Sequence, residues 1–339
     1  MWTLPCRRDA ILVAAISSMA IGVAVAQQDS ASQPPATGDG GLRDARLYEI
    51  AKSSMFNGVN ANDARAALKV WFEVLGRQKG FRLESKVDVV DSLMEIRDRL
   101  QKHSVDVVLL GTTDYLQLES SGTVEPVLTD ARNSQGEELY SFLLLVNPAS
   151  GVTSIAGLRG KDILVSSRDL GNTAGAWLDV LLSKEKLGRA ASFFGSFRTS
   201  DKPQACILPL FFGKVDACVV DEVNLNLAKE MNPQLGRFRV LARSRPMLEG
   251  VICVPTEARL FRKEFVDSML SLHLDPVGRQ LLLVFKTDRI VRIRPGDLDS
   301  ARELWSDYNR LPGSPPYKLQ LTPSQAGDRG ATDRGLEKR

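Results

Sequence analysis

The run Val105-Asp106-Val107-Val108-Leu109-Leu110 stops at Gly111 and gives way to Thr112-Thr113-Asp114-Tyr115. It is apolar at almost every position, so both side-chain directions of an extended chain are covered. Such a strand belongs in a parallel sheet with helices on both faces. Further strand patterns are Arg46–Ser53, Phe81–Val90, Asp162–Ser166, Ser192–Phe197, Asp216–Val220, Phe238–Ala242 and Val251–Val254. Helical spacing falls between them. Asn62 or Asp63 caps a helix with its apolar face at Ala64, Ala67, Leu68, Trp71 and Leu75. Ser92 and Glu95 have capping-box spacing ahead of Leu93, Ile96 and Leu100. Helices are also expected over Thr173–Leu187, Pro203–Phe212, Asp221–Met231, Ala258–Leu272, Pro276–Phe285 and Asp297–Arg310. Alternation of this kind predicts an α/β protein with parallel sheets.

One core does not hold 339 residues, since domains run on the order of 100–200 residues. Two stretches have the length and extended character to join lobes. They are Glu138–Pro148 and Val240–Val254, the second interrupted by Ser244-Arg245-Pro246. Two crossings make one lobe discontinuous: 42–139 with 247–311, around a continuous lobe at 140–246. Arg7 and Arg8 followed by an apolar stretch to Val25 and an Ala24-Val25-Ala26 site read as a signal peptide over 1–26. The stretch is short of the roughly 20 residues a membrane-spanning helix needs. Residues 27–41 and 312–339, rich in small and polar types, read as a flexible leader and a disordered tail. After cleavage the chain has no span of its own, and the periplasm is its expected compartment. Three cysteines then remain, Cys206, Cys218 and Cys253. An odd number leaves at least one unpaired, and buried inert thiols fit their apolar surroundings.

The 44 basic and 41 acidic residues nearly balance, which gives nucleic acid no purchase. With only His103 and His273, far apart, metal sites and Ser-His-Asp machinery have little material. No nucleotide-binding glycine motif or paired-cysteine motif occurs. No catalytic residue, metal or cofactor is therefore expected. What remains is polar turns after apolar strands, where open α/β sheets bind ligands and helix N-termini favour anions. These turns offer Asn57 and Asn60; Thr112, Thr113 and Tyr115; Asn172 and Thr173; Ser200, Asp201 and Lys202; and Asp221. Each has a plain structural alternative. Thr173, Ser200, Asp201 and Asp221 also suit helix caps, Asn57 and Asn60 suit turns, and Tyr115 suits a packed ring with a tethered hydroxyl.

Four segments carry a resemblance: VDVVLLGTTDYLQL ending at Leu118, YSFLLLVNPASGVTSIAGLRGKDILV over Tyr140–Val165, GNTAG over Gly171–Gly175, and GKVDACVVD over Gly213–Asp221. Together they resemble the substrate-binding proteins of phosphate, phosphite and phosphonate ABC transporters. The resemblance implies a type 2 periplasmic-binding-protein fold, two α/β lobes joined by two extended hinge strands. It implies capture of a small anionic ligand by lobe closure, a membrane permease as partner, and a monomer. It assigns anion contact to Asn172 and Thr173 and matches Tyr115 and Asp221 to family positions. The chain departs from phosphonate binders in having no His in Ser200-Asp201-Lys202-Pro203-Gln204. A receptor serving a sensor, or an enzyme like the thiamine-precursor synthases, are the alternative readings of the same architecture.

Overall fold

The computed structural model describes residues 43–56, 60–78, 80–131, 139–166, 173–200, 202–257 and 262–313. The expected signal, the leader and residues 314–339 lie outside these, as do Asn57, Asn172 and Asp201. The first part of the chain forms β1 (Arg43–Lys52), α1 (Ala61–Gln78), β2 (Phe81–Val90), α2 (Leu93–Gln101), β3 (Val107–Gly111), α3 (Thr112–Glu119) and β4 (Val124–Ala131). The first crossing is β5 (Leu139–Tyr140) and β6 (Phe142–Val146). The middle contains β7 (Asp162–Ser166), α4 (Thr173–Lys184), α5 (Ala190–Phe193), β8 (Ser196–Ser200), α6 (Gln204–Phe211), β9 (Ala217–Asp221), α7 (Glu222–Met231) and β10 (Arg239–Arg243). The return is β11 (Met247–Leu248), β12 (Gly250–Pro255), α8 (Arg262–Ser271), α9 (Pro276–Val284), β13 (Arg289–Arg292) and α10 (Asp299–Asn309).

Two mixed sheets result. One has six strands in the order β13-β4-β12-β3-β1-β2, the other five in the order β10-β6-β9-β7-β8. The first takes its strands from both ends of the described chain and the second from the middle. Parallel pairing holds for β1 with β2 and β3, and for β7 with β8 and β9. Three strands run against the rest: β12 and β6, which each enter a sheet directly from a crossing, and β13 beside β4. In β6 every residue is buried: Phe142, Leu144 and Val146 face one cluster, Leu143 and Leu145 the opposite one. Burying one such side chain contributes about 1.5–3 kcal/mol, which is why so short a strand can centre a sheet.

The two crossings pair with each other. Leu248 lies opposite Leu139 and Met247 opposite Tyr140. Farther on, the Ser244 hydroxyl accepts from the Phe142 N–H at 2.8 Å, and the Ser244 N–H donates to the Phe142 carbonyl at 2.9 Å. The ribbon continues into β6 and β10.

Several local expectations are corrected. β4 was not anticipated, because Pro126 and its polar residues hide the alternation. The proline sits opposite Cys253, beside a register shift between Ile252 and Cys253, where a missing N–H is tolerated. β13 is four residues with two arginines and likewise reads as loop. The strand expected over Ser192–Phe197 is a helical turn followed by β8. The buried Phe193-Phe194 pair that suggests a strand is a T-shaped aromatic contact in the core. The three cysteines are all free and buried. Burial pushes the Cys206 thiol up to about 11 and those of Cys218 and Cys253 well up, which makes them poor nucleophiles.

Candidate functional site

β3 runs into α3 without a loop. Gly111 ends the strand in extended conformation, and Thr112 already begins the helix. The expected polar turn at 111–115 is therefore the first turn of a helix. On the other sheet, α4 opens at Thr173, downstream of the carboxyl end of β7. Both helices thus start beyond the carboxyl ends of strands, where α/β sheets place ligands.

The two starts meet. The hydroxyl oxygens of Thr113 and Thr173 lie 3.2 Å apart, within hydrogen-bonding distance, and both residues are buried. First-turn N–H groups lack intrahelical acceptors, and the helix dipole makes each N-terminus positive. Two N-termini carrying hydroxyl donors converge at this point. The arrangement suits an anion with several acceptor oxygens.

A cation that the sequence reading missed stands beside it. Lys52 closes β1, and its ammonium donates to both oxygens of Asp114 at 3.1 and 3.0 Å. Asp114 is buried next to Thr113. Burial pushes its carboxyl above the usual range, with the Lys52 charge pulling the other way. The available signal was a lysine ending an apolar strand just before a polar turn, Ala51-Lys52-Ser53-Ser54. Ser166 was also missed. It is buried at the carboxyl end of β7, opposite Ser200 in register.

The other expected contacts divide. The Thr112 hydroxyl donates to the Leu248 carbonyl at 2.8 Å, and its N–H donates to Glu249, so Thr112 ties α3 to the second crossing. The Tyr115 ring is buried in one cluster with Ile96, Leu110 and Val251, and its hydroxyl donates to Glu119 at 3.3 Å. Burial, helped by the Glu119 charge, pushes that phenol well above its ordinary value. Both oxygens of Asp221 are taken by Asn224, through its backbone at 2.8 Å and its side chain at 2.6 Å, in an N-cap of α7. Ser200 accepts from the Lys202 N–H at 3.2 Å in a turn after edge strand β8, and Lys202 is exposed. Asn60 is exposed and accepts from the Asn62 N–H at 2.8 Å at the start of α1. Of the described candidates, Thr113 and Thr173 are the two joined by a direct side-chain contact across the sheets.

His103 Nδ1 lies 3.6 Å from Glu257, which follows β12. Since β12 runs antiparallel to β3, this pair marks the amino edge of β3, away from Thr113. Among the described residues, no group of three or more His, Cys, Asp or Glu side chains is placed to hold a metal ion. No described helix is long and apolar enough to cross a membrane.

A family model described as the periplasmic substrate-binding protein of phosphonate ABC transporters matches residues 56–298. No curated protein matches the chain in sequence. Among solved structures, a Xanthomonas citri protein bound to ATP superposes with a TM-score of 0.58 at 18% identity, over 78% of this chain and 97% of that one. PhnD1 of Prochlorococcus marinus in complex with methylphosphonate gives 0.53 at 15% identity, over 78% and 99%. A binding-protein component of an ABC phosphonate transporter from Pseudomonas aeruginosa gives 0.52 at 12% identity, over 77% and 86%. At these identities the likeness is one of fold: the type 2 periplasmic-binding-protein architecture.

Proposed function

Because the chain belongs to the family of periplasmic substrate-binding proteins of phosphonate ABC transporters, we propose that it captures a small oxyanion of the phosphonate or phosphate type between two lobes. The family implies a small ligand and a permease partner. The lobes are 42–139 with 247–311, and 140–246, joined by the paired crossings. The N-terminal segment exports the chain, and the chain acts as a monomer. The contact between Thr113 and Thr173 carries this reading, because it brings two helix N-termini from separate sheets to one point. A bound anion replaces one neutral hydroxyl–hydroxyl bond with two bonds to charge, which are roughly twice as strong. Its affinity for the closed arrangement exceeds that for the open one, and that difference shifts the equilibrium. Lys52 supplies a positive charge, which the anion shares with Asp114. Asn172, Ser200, Asp201 and Lys202 are retained as ligand contacts, with Lys202 adding a second cation.

The test is a thermal-shift and calorimetric panel of phosphate, phosphite, methylphosphonate, alkyl sulfonates and amino acids. A ligand at 100 times its dissociation constant adds about 2.7 kcal/mol of stability. Thr113→Val and Thr173→Val are each expected to weaken the best oxyanion about tenfold or more, the loss of one hydrogen bond to a charged group. Unaltered affinity in both variants, or a panel in which only amino acids bind, rules out the assignment.

A further inference from the structure

A third connection crosses between the sheets, and it is helical. Leu298, just before α10, belongs to the buried cluster that holds Val108, Leu110 and Val251 of the six-stranded sheet. Ala301 and Leu304, within the helix, belong to the buried cluster that holds Phe142 of the five-stranded sheet and Trp177 and Leu178 of α4. The crossing takes place within the first turn of α10. An extended two-stranded ribbon bends at its backbone dihedrals, whereas a helix moves as a rod.

Polar contacts anchor this rod on both sides. Arg302 forks onto Glu119, the last residue of α3. Its Nε donates to the two carboxylate oxygens at 3.1 and 3.2 Å, and one Nη donates to Oε1 at 2.5 Å. The other Nη holds Asp299 at 2.7 Å. Glu119 also accepts from Tyr115 within α3, so its carboxylate is fixed from two directions. At the far end, Asp307 pairs at 2.8 Å with Lys184, the last residue of α4. The Arg189 guanidinium lies 5.1 Å from the Tyr308 ring centre. Glu303 pairs with Arg245 in the second crossing. α3 and α4 are the helices whose opposite ends bring Thr113 and Thr173 together, so α10 grips the trailing ends of both.

We propose that α10 is a strap that sets the resting angle between the lobes, and that Arg302 is a positioning residue for Thr113, acting through Glu119 and α3. The proposal rests on the lobe-closure reading. With the trailing ends of α3 and α4 held by one rod, lobe motion becomes a pivot about α10. Its main consequence is to open or close the gap between the two helix N-termini. The forked Arg–carboxylate pair fixes direction as well as distance, which a lysine does not.

The experiment measures lobe separation in the full, ligand-free chain. Spin labels are placed at two exposed positions, Asp98→Cys on α2 and Glu230→Cys on α7, and distances are read by pulsed electron paramagnetic resonance. Cys6 is replaced by serine, and Cys206, Cys218 and Cys253 are buried, so labelling goes to the added thiols. Arg302→Glu and Glu119→Arg are each expected to move the population to longer distances, by about fivefold in the ratio of long to short, as loss of roughly 1 kcal/mol dictates. The double exchange is expected to restore the original distribution, and Arg302→Lys to give an intermediate one. Arg302→Gln and Glu119→Gln replace the reversals if those do not fold. Unchanged distances in a folded single variant, or an exchange that stays as open as the singles, overturn the strap. Methylphosphonate and inorganic phosphate are then titrated into the parent labelled protein. If neither alters its distances, lobe closure on such anions fails while the ligand-free strap result still stands.

Discussion

In the five-stranded sheet, the central strands β6 and β9 bury apolar side chains on both faces, from Phe142 to Val146 and from Ala217 to Val220. In the six-stranded sheet, interior strand β1 carries Glu49 on the face where Leu47 and Ala51 meet Trp71 and Phe72. Val87 and Val107 flank Glu49 in register. Glu49 is 3% exposed, and its Oε1 has no hydrogen-bond partner among the described residues. Burial pushes its carboxyl up to about 8. One sheet is therefore indifferent to pH in its centre and the other is not. A carboxyl in an apolar layer is tolerated while it remains protonated, and it costs free energy once it must ionise.

Cutting into the apolar sheet tests this difference with the largest effect. Leu144→Ala removes a fully buried side chain, and a loss of about 2–5 kcal/mol is expected in denaturant melts, with little change between pH 5 and pH 9.

At Glu49 the effect depends on pH. The folded pKa is raised, so the contribution of the protonated group to stability is complete below about 4.5. It is lost as pH rises toward about 8. Glu49→Gln should match the parent near pH 4.5 and exceed it by roughly 2–4 kcal/mol at pH 9. Parallel pH–stability curves for the two proteins would remove the contrast between the sheets.

The smallest expected effects compare equivalent caps on the two sides. Ser92 caps α2, accepting from Glu95 N–H at 3.3 Å, and Asp221 caps α7. Alanine at either position should cost about 1 kcal/mol. Neither substitution should change oxyanion affinity. A tenfold loss of affinity in Asp221→Ala alone would return that residue to the binding site.

Much of the architecture was legible because it follows from short-range periodicity. The boundaries of β2 and β7 and the Ser92 cap were readable from side-chain pattern and capping chemistry. Both crossings were readable as long extended runs. β4 was not, since Pro126 is acceptable there only because of a bulge in its neighbour. Lys52 was not, because nothing near it in sequence shows Asp114 waiting at the start of a helix sixty residues on. Thr112, Thr113 and Tyr115 all looked alike as polar residues after a strand. Helix geometry separates them: Thr113 reaches Thr173, while Thr112 turns to the second crossing and Tyr115 into the core.

Sequence alone determined most of the element types and the division into two sheets, because periodicity and chain order act locally. Tertiary structure decided which hydroxyls meet, where the third crossing runs and why the Glu49 carboxyl is pushed up. Each of these depends on distance and burial between segments far apart in the chain, and no local pattern encodes either.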